Sequence, residues 1–242
     1  MITDYPRLEK HTLVEDFITR FEEMILTGRL NIGEKLPSER ELAFKLGVSR
    51  PVVHDGLLDL ATKGLITRFS SGGAVVNDYR RQGSLSLLTT LMNFRAGNLE
   101  PGLFSSTMDF RRLFEVESAG LAAIHRSQEQ LDELINLVEQ EKTTNGEDIP
   151  LLSTLDFQFH HLVAMASGNI FYPLLLNSCR PLYINFASIF YAIPGNRTKV
   201  VRFHEELITA IAENDASTAQ EVMVAMLDHG YNSFVIETHP MD

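Results

Sequence analysis

Two pairs of residues in this sequence stand four positions apart and could do chemistry if each pair lies on a helix. Arg50 and His54 would share one helix face, where an arginine can pair with both acceptors on a guanine edge or hold a phosphate. Asp156 and His160 would share another face, where a carboxylate and an imidazole can reach one metal ion. The first pair predicts contact with DNA. The second has a spacing at which both side chains could share one ion, and the simpler alternative is an ion pair on a helix surface.

The segment around the first pair has the start and stop signals of two short helices. Ser38 precedes a helical run with Glu41 three residues later, the pattern of a capping box in which each side chain binds the other residue's backbone amide. Gly47 can end that helix in the left-handed conformation that other residues resist. Ser49 can cap the next helix, and Pro51 is tolerated in its first turn because no amide partner is lost there. Two helices joined by so short a turn predict a helix-turn-helix, whose second helix enters the major groove of DNA.

A two-stranded ribbon is predicted directly after the second helix. Gly64 ends that helix, and Leu65–Phe69 and Ala74–Asn77 can pair around a turn rich in serine and glycine. Helix, turn, helix and ribbon in that order describe a winged helix-turn-helix, and this combination predicts DNA binding. Gly56 lies inside the second helix, where it costs about 1 kcal/mol relative to alanine, and the sequence offers no reason for it.

The charge of the chain bears on how it would bind DNA. The formal net charge of the 242 residues is −11, although neutralisation of phosphates drives much of the affinity of DNA-binding proteins. One such domain is therefore expected to bind DNA weakly. A two-fold dimer would present two recognition helices about 34–36 Å apart and would require a palindromic site. We therefore expect a homodimer.

Composition also limits the compartment and the number of domains. The length allows two domains with cores of their own. No apolar run is long enough to span a bilayer, and the amino terminus lacks the basic-then-apolar pattern of a signal peptide. The single cysteine, Cys179, excludes an intrachain disulfide and fits a reducing cytoplasm. We expect a cytoplasmic protein with no membrane partner.

The chain beyond Asn77 has the pattern of an all-helical domain. Residues 79–84 are polar and predict a linker between a DNA-binding domain at 1–78 and a helical domain at 85–238. Helices are predicted near 85–95, 103–125, 128–143, 149–167, 170–192, 197–213 and 216–237. Pro181 should kink the fifth of these helices, because its ring clashes with the preceding turn. The predicted fold class is mainly α, with an amino-terminal winged helix-turn-helix followed by an all-α bundle.

The amino-terminal motifs LPSERELA, LGVSRPVV and KGLI, with the glycine pair after them, resemble the winged helix of GntR-type bacterial transcription regulators. The resemblance covers nearly all of residues 10–78 and implies sequence-specific DNA binding. Many members carry a further arginine where this chain has His54, and a basic residue between wing glycines where this chain has Ser70–Gly73. Both departures reduce the attraction to phosphate, so the preferred operator could differ from those of relatives. The predicted DNA-contacting residues are Arg40, Ser49, Arg50, His54 and Gly72.

The helical half resembles the ligand-binding FCD domain of the FadR branch of that family. The motifs are Phe110–Glu115, Leu155–His160, Ala166–Asn169 and the segment that begins at His204. In many members an aspartate and three histidines hold a divalent metal inside the bundle. The resemblance implies that Asp156, His160 and His204 would be the ligands here, with zinc or nickel as the ion. The position of the fourth ligand is occupied by Met226, whose thioether is a poor ligand for either metal. His229, one turn later, is a weak candidate to replace it.

Two effector classes fit this resemblance. Small carboxylates are the commonest effectors of metal-bearing members, and Arg111 matches an arginine that often faces the pocket, where it could pair with such an acid. A fatty acyl-CoA is the alternative, because residues 166–174 and 190–194 look closer to the acyl-CoA-sensing regulator after which the branch is named, which also lacks the metal. Effector binding would shift the bundle between two packings and change operator affinity, most simply in a repressor. A metal-dependent hydrolase using the same ligands, or a scaffolding protein, would be the alternatives outside gene regulation.

Overall fold

The structure, a computed structural model, describes residues 13–70, 73–95 and 101–238. It divides the chain into two compact units, one up to Phe94 and one from Arg95 onward. The first unit is a winged helix-turn-helix, and the described residues of the second are all in helices or the turns between them. The predicted fold class, mainly α with an amino-terminal winged helix-turn-helix and an all-α bundle, is confirmed. No helix in the described part is both long and apolar enough to cross a membrane.

The amino-terminal unit combines helices with a small antiparallel sheet. Its elements are α1 (Leu13–Leu26), β1 (Lys35–Leu36), α2 (Glu39–Leu46), α3 (Arg50–Thr62), β2 (Ile66–Arg68), β3 (Ala74–Val76), α4 (Tyr79–Gln82) and α5 (Leu85–Arg95). β3 is the central strand, where Val75 pairs with Lys35 of β1 and Val76 pairs with Ile66 of β2. The predicted ribbon is therefore part of a three-stranded sheet. β1 was not predicted because two residues are too few to show an alternating pattern.

The turn between α2 and α3 follows the sequence signals with two differences: only one half of the predicted capping box is formed by the described residues, and Ser49 makes no capping hydrogen bond. Ser38 Oγ accepts a hydrogen bond from the Glu41 backbone N–H at 3.3 Å. Gly47 adopts a φ of +67°, the left-handed conformation that ends α2. Ser49 occupies the N-cap position of α3, but its hydroxyl makes no capping hydrogen bond. The predicted N-cap position of Ser49 is confirmed, but its exposed side chain supplies no capping hydrogen bond at the start of α3.

Helix α1 packs across α3 in the core of the winged helix, and Gly56 leaves room for this packing. Phe17 and Phe21 of α1 are each 5% exposed, and their rings stack with centroids 4.3 Å apart. A Cβ atom added at Gly56 would lie 2.2 Å from Phe17 Cδ1. The glycine that the sequence left unexplained is therefore required by the aromatic ring that lies against α3.

Replacing Gly56 with alanine is expected to destabilise the chain, although alanine is the better helix former. Its higher propensity would contribute about 1 kcal/mol, whereas overpacking a core typically costs about 1–3 kcal/mol, and here the methyl group would displace a stacked ring. A clash with a stacked ring belongs in the upper part of that range, about 2–3 kcal/mol, so we expect a net loss of ~1–2 kcal/mol in the free energy of unfolding, measured by denaturant titration. Gly230→Ala is the matched control, because a Cβ there would meet only Met108 Cε at 3.9 Å. A Gly56→Ala protein as stable as the parent would contradict this packing.

Helices α4 and α5 belong to the amino-terminal unit. Leu87 of α5 is 3% exposed in the winged-helix core, and Tyr79 and Leu91 pack against the same core. A Cβ at Gly64 would lie 2.0 Å from the Gln82 carbonyl oxygen, so the backbone of α4 lies directly against the turn after α3. The sequence placed a linker at 79–84 and assigned the following helix to the helical domain. The structure instead places both with the winged helix, because the apolar face of α5 is buried there.

The carboxy-terminal unit is a bundle of helices arranged around α8. Its elements are α6 (Pro101–His125), α7 (Gln128–Thr143), α8 (Ile149–Ala166), α9 (Phe171–Ser178), α10 (Arg180–Tyr191), α11 (Asn196–Ala212) and α12 (Ala216–Thr238). α8 packs against α6, α7, α9 and α10, which is why most of its residues are buried. Most helix boundaries lie within two residues of the predicted ones.

One predicted helix is two helices in the structure. The sequence predicted a single kinked helix over 170–192, whereas α9 ends at Ser178 and α10 begins at Arg180. Pro181 lies in the first turn of α10, where its missing N–H leaves no hydrogen bond unmade. The proline therefore starts a new helix rather than bending an existing one. This break allows α10 to bring two tyrosines towards α8.

Candidate DNA-binding face and effector pocket

The predicted DNA contacts lie on the surface of the winged helix. Arg40 is exposed in the first turn of α2, and Ser49, Arg50 and His54 are exposed at the start of α3. Neither Arg40 nor Arg50 forms an ion pair with any residue that the structure describes. Gly72, the predicted contact in the wing, lies outside the described residues. The two arginine charges therefore remain available to a partner.

His54 differs from the two arginines because it belongs to a cluster of side chains. Its Nδ1 lies 3.2 Å from Glu39 Oε1 in the first turn of α2 and 3.1 Å from Arg68 Nη2 at the end of β2. Arg68 Nη2 also donates to Glu39 Oε1 at 2.8 Å. Sequence reasoning did not identify Glu39, because the three residues come from three different elements. No local pattern pairs residues so far apart in the chain.

The predicted metal ligands come together inside the helical unit. Asp156 and His160 lie on α8 and His204 lies on α11, and one ligand atom from each residue falls within 4.8 Å of the others. The three residues are 8%, 3% and 0% exposed, respectively. A buried carboxylate and two buried imidazoles facing one point are a donor set suited to a divalent metal of the zinc type. The surface ion pair considered as the simpler alternative is therefore wrong.

Each of the two imidazoles is held by a buried glutamate. His204 Nδ1 lies 2.8 Å from Glu141 Oε2, and His160 Nδ1 lies 2.5 Å from Glu115 Oε2. A carboxylate on one ring nitrogen orients the ring and leaves the other nitrogen to a metal. His204 Nε2 has no hydrogen-bond partner among the described residues and lies 3.8 Å from Asp156 Oδ1. Sequence reasoning missed both glutamates, since they lie on α7 and α6, far from the histidines along the chain.

Asp156 receives hydrogen bonds on both carboxylate oxygens. The Tyr183 hydroxyl donates to Oδ2 at 2.6 Å and the Tyr191 hydroxyl donates to Oδ1 at 3.0 Å. Burial raises the pKa of both phenols well above the usual value, and the negative charge of Asp156 raises it further. Both tyrosines therefore stay protonated and act as donors. They hold the carboxylate in place while leaving lone pairs for another partner.

Arg111, the predicted effector contact, already has partners. Its Nε donates to Glu115 Oε1 at 2.5 Å, one terminal nitrogen donates to the Tyr183 hydroxyl at 3.2 Å, and the guanidinium lies 4.2 Å from the centre of that ring. Burial alone would raise the pKa of Glu115, but the charges of Arg111 and His160 and their hydrogen bonds lower it to about 2. The positive charge of Arg111 is therefore largely compensated by the negative charge of Glu115.

A cavity of about 60 Å³ opens onto this cluster. Asp156, His160 and Arg111 line its polar end, and the remaining wall is mostly aromatic and aliphatic. Met226 lines the same cavity and is 6% exposed. His229 does not replace it as a ligand, because its ring lies against the Phe190 ring, with centroids 5.5 Å apart, and outside the metal-ligand group. The cavity thus combines a polar end with an apolar body.

The residues present fit a divalent metal ion. The orphaned His204 Nε2 lies 3.8 Å from Asp156 Oδ1, and a glutamate carboxylate lies against Nδ1 of each imidazole. With both imidazoles neutral, the form in which they bind a metal, the buried carboxylates of Glu115, Glu141 and Asp156 outnumber the single guanidinium of Arg111, so the cluster has a net negative formal charge. A bound cation would offset that charge, whose burial is otherwise costly.

Both units match known families. Residues 13–76 match the family described as bacterial regulatory proteins, gntR family, and residues 106–229 match the FCD domain. The chain therefore belongs to the GntR family of bacterial regulators and carries an FCD domain. It is a transcription regulator with a DNA-binding helix-turn-helix and an effector-binding FCD domain.

Individual relatives agree with this assignment. The chain is 30% identical over 222 residues to the HTH-type transcriptional regulator Mce2R of Mycobacterium tuberculosis, covering 90% of each protein. It is 30% identical over 229 residues to the Glc operon transcriptional activator of Escherichia coli, covering 91% of this chain and 87% of the relative. The solved structure of Streptococcus agalactiae GntR aligns with a TM-score of 0.50 and 26% identity, over 91% of this chain and 99% of that one. These relatives are transcription regulators and not enzymes, so the hydrolase alternative is wrong.

Proposed function

We propose that this chain is a regulator of the FadR branch that acts in the cytoplasm as a homodimer and binds a palindromic operator, as a repressor. Arg50 and Ser49 at the start of α3 would touch base edges, with Arg40, His54 and Gly72 as further contacts. The support for this role is the exposure of the cationic side chains in the first turns of α2 and α3. The unit from Arg95 onward would bind the effector and join the two protomers.

We further propose that the effector is a small carboxylate bound beside a divalent ion, with zinc or nickel as the candidates. Asp156, His160 and His204 would hold the ion, and the observation that carries this proposal is their convergence with glutamate-oriented rings. When bound, the metal supplies a positively charged centre that an acid can coordinate. Arg111 would hold Glu115 and Tyr183 in place at the edge of the same cavity, where it can also reach an effector carboxylate.

The size of the cavity favours a small acid over a fatty acyl-CoA. Sites for drug-sized ligands measure about 300–1,000 Å³, whereas this cavity measures about 60 Å³. An acyl-CoA would require several walls of the bundle to move apart. Met226 lines the cavity at the position where a fourth histidine would be, and this substitution favours the acyl-CoA as the second candidate. On balance the space available supports the small acid.

Chelation of the metal is expected to destabilise the helical unit. An ion bound at 100 times its Kd contributes about 2.7 kcal/mol, which corresponds to a Tm change of roughly 5–10 °C for a chain of this size. The measurement is thermal unfolding of the purified chain with and without EDTA, together with native mass spectrometry and metal analysis. We expect one divalent ion per chain and a Tm that returns when zinc or nickel is added.

The His160→Ala variant is the control for this experiment, since it removes a proposed ligand. It should contain little metal, and chelator should leave its Tm unchanged. Candidate acids are then tested on the metal-loaded and metal-free chains by the same thermal assay. A parent chain that holds no ion, or an ion that His160→Ala retains in full, would contradict the proposal. Co-purification of an acyl-CoA would favour the second candidate.

A further inference from the structure

The cluster of Glu39, His54 and Arg68 on the winged helix suggests a role beyond phosphate attraction. We infer that Arg68, held by Glu39, fixes the tautomer of His54 so that α3 presents a hydrogen-bond donor to DNA at this position. The inference rests on the proposed function, because it requires α3 to lie against the bases of the operator. It makes Arg68 and Glu39 positioning residues that act through His54.

Hydrogen-bond chemistry at the imidazole carries the argument. A guanidinium has only donors, and Arg68 Nη2 lies 3.1 Å from His54 Nδ1. When Arg68 Nη2 donates to a neutral ring, Nδ1 is the acceptor and the proton of that ring is on Nε2. Arg68 is fixed in this position by its 2.8 Å bond to Glu39 Oε1. The Glu39 carboxylate thus holds in place the Arg68 N–H group that selects the tautomer of His54.

Glu39 is also the competing partner, because Oε1 lies 3.2 Å from His54 Nδ1 and could draw a proton there. A proton on Nδ1 in addition to that on Nε2 gives the imidazolium, in which Nε2 is still a donor. Only the neutral ring protonated on Nδ1 alone would turn Nε2 into an acceptor. In that form the Nδ1–H group would face the N–H groups of Arg68. Nε2 therefore carries a proton both in the neutral ring that accepts from Arg68 and in the imidazolium.

The Nε2 edge of the ring is accessible. The His54 side chain is 50% exposed, whereas the side chains of Arg68 and Glu39 are 25% and 20% exposed. Nδ1 faces these two partners, so Nε2, on the other side of the ring, points away from them. An N–H donor in the major groove recognises guanine O6 or N7, adenine N7 or thymine O4, and is opposed by the amino groups of cytosine and adenine. His54 is thereby expected to select for an acceptor at one base position in each half-site.

The test combines nuclear magnetic resonance with selection of DNA sequences. In the full-length chain with ¹⁵N-labelled histidine, the side-chain nitrogens of His54, assigned by comparison with His54→Gln, should show a proton on Nε2. Selection from a random DNA library by the parent chain should give a palindromic motif. In Arg68→Met, which keeps the aliphatic stem but removes the donors, the ring should populate the Nδ1-protonated form. Discrimination at one base position per half-site should fall about tenfold.

The outcomes separate this inference from the proposed function. Arg29→Met is the matched control, because Arg29 also pairs with a glutamate, Glu23 at 3.6 Å, and the charge change is the same; it should keep the preference of the parent. If the His54 ring of the parent chain is protonated on Nδ1 alone, the inference is overturned before any variant is measured. An unchanged base preference in Arg68→Met would overturn it while leaving the operator-binding role intact. If the parent chain enriches no motif, the proposed function fails and this inference fails with it.

Discussion

Replacing Arg50 with alanine is expected to weaken operator binding about 100-fold or more while leaving the chain folded. A bidentate arginine–guanine pair contributes about 1–3 kcal/mol of discrimination, and a two-fold dimer would lose one pair in each half-site. The effect on stability should be small, because Arg50 is exposed and forms no ion pair with a described residue. The measurement is a titration of selected operator DNA at fixed salt, since affinity for DNA depends steeply on ionic strength.

Two controls identify the cause of that loss. Arg29→Ala removes an exposed arginine away from α3 and should change the affinity little. Circular dichroism and thermal unfolding of Arg50→Ala should match those of the parent chain. If Arg50→Ala retains the affinity and base preference of the parent, α3 does not read the operator through its first turn. The recognition surface would then have to be sought elsewhere on the winged helix.

The second large effect is expected for His204→Ala, in stability and in metal content together. His204 is 0% exposed, its ring stacks on Phe159 at 3.7 Å, and it is the hydrogen-bond partner of Glu141, which is 1% exposed. Removing the ring leaves a buried carboxylate without that partner, which typically costs about 3–5 kcal/mol. The expected results are a lower free energy of unfolding and loss of the bound ion, measured by denaturant titration and metal analysis.

The double variant His204→Ala with Glu141→Gln distinguishes the two causes. Removing the charge of Glu141 as well should recover part of the stability, because no buried carboxylate is then left behind. The metal should remain absent, since the ligand is still missing. His125→Ala serves as the control, because His125 is exposed on α6. Full metal content in His204→Ala would exclude His204 as a ligand.

Much of the fold could be predicted because its signals are local. Capping residues such as Ser38 and left-handed glycines such as Gly47 set the helix ends through contacts within a few residues. The spacing of Asp156 and His160 placed both on one face of a helix, and the structure has them on α8 facing His204. These features depend on helix periodicity, which a single sequence displays directly.

The remaining features depend on contacts between distant segments. Glu115 and Glu141 look like ordinary surface carboxylates in the sequence, yet each is 1% exposed and lies against Nδ1 of a histidine on another helix. Glycine is needed at position 56 because the Phe17 ring of α1 lies against it. Such partners are chosen by packing, and periodicity within one helix carries no information about them.

The burial of α5 in the winged-helix core decides which fragment of this protein can fold by itself. A fragment that stops at residue 78 would leave in water the apolar surface that Leu87 and Leu91 cover, and exposed surface of that kind promotes association between copies. A fragment that continues through Phe94 would keep it covered. Transfer of this DNA-binding unit to another sensor domain, by recombination or by engineering, therefore has to include α5.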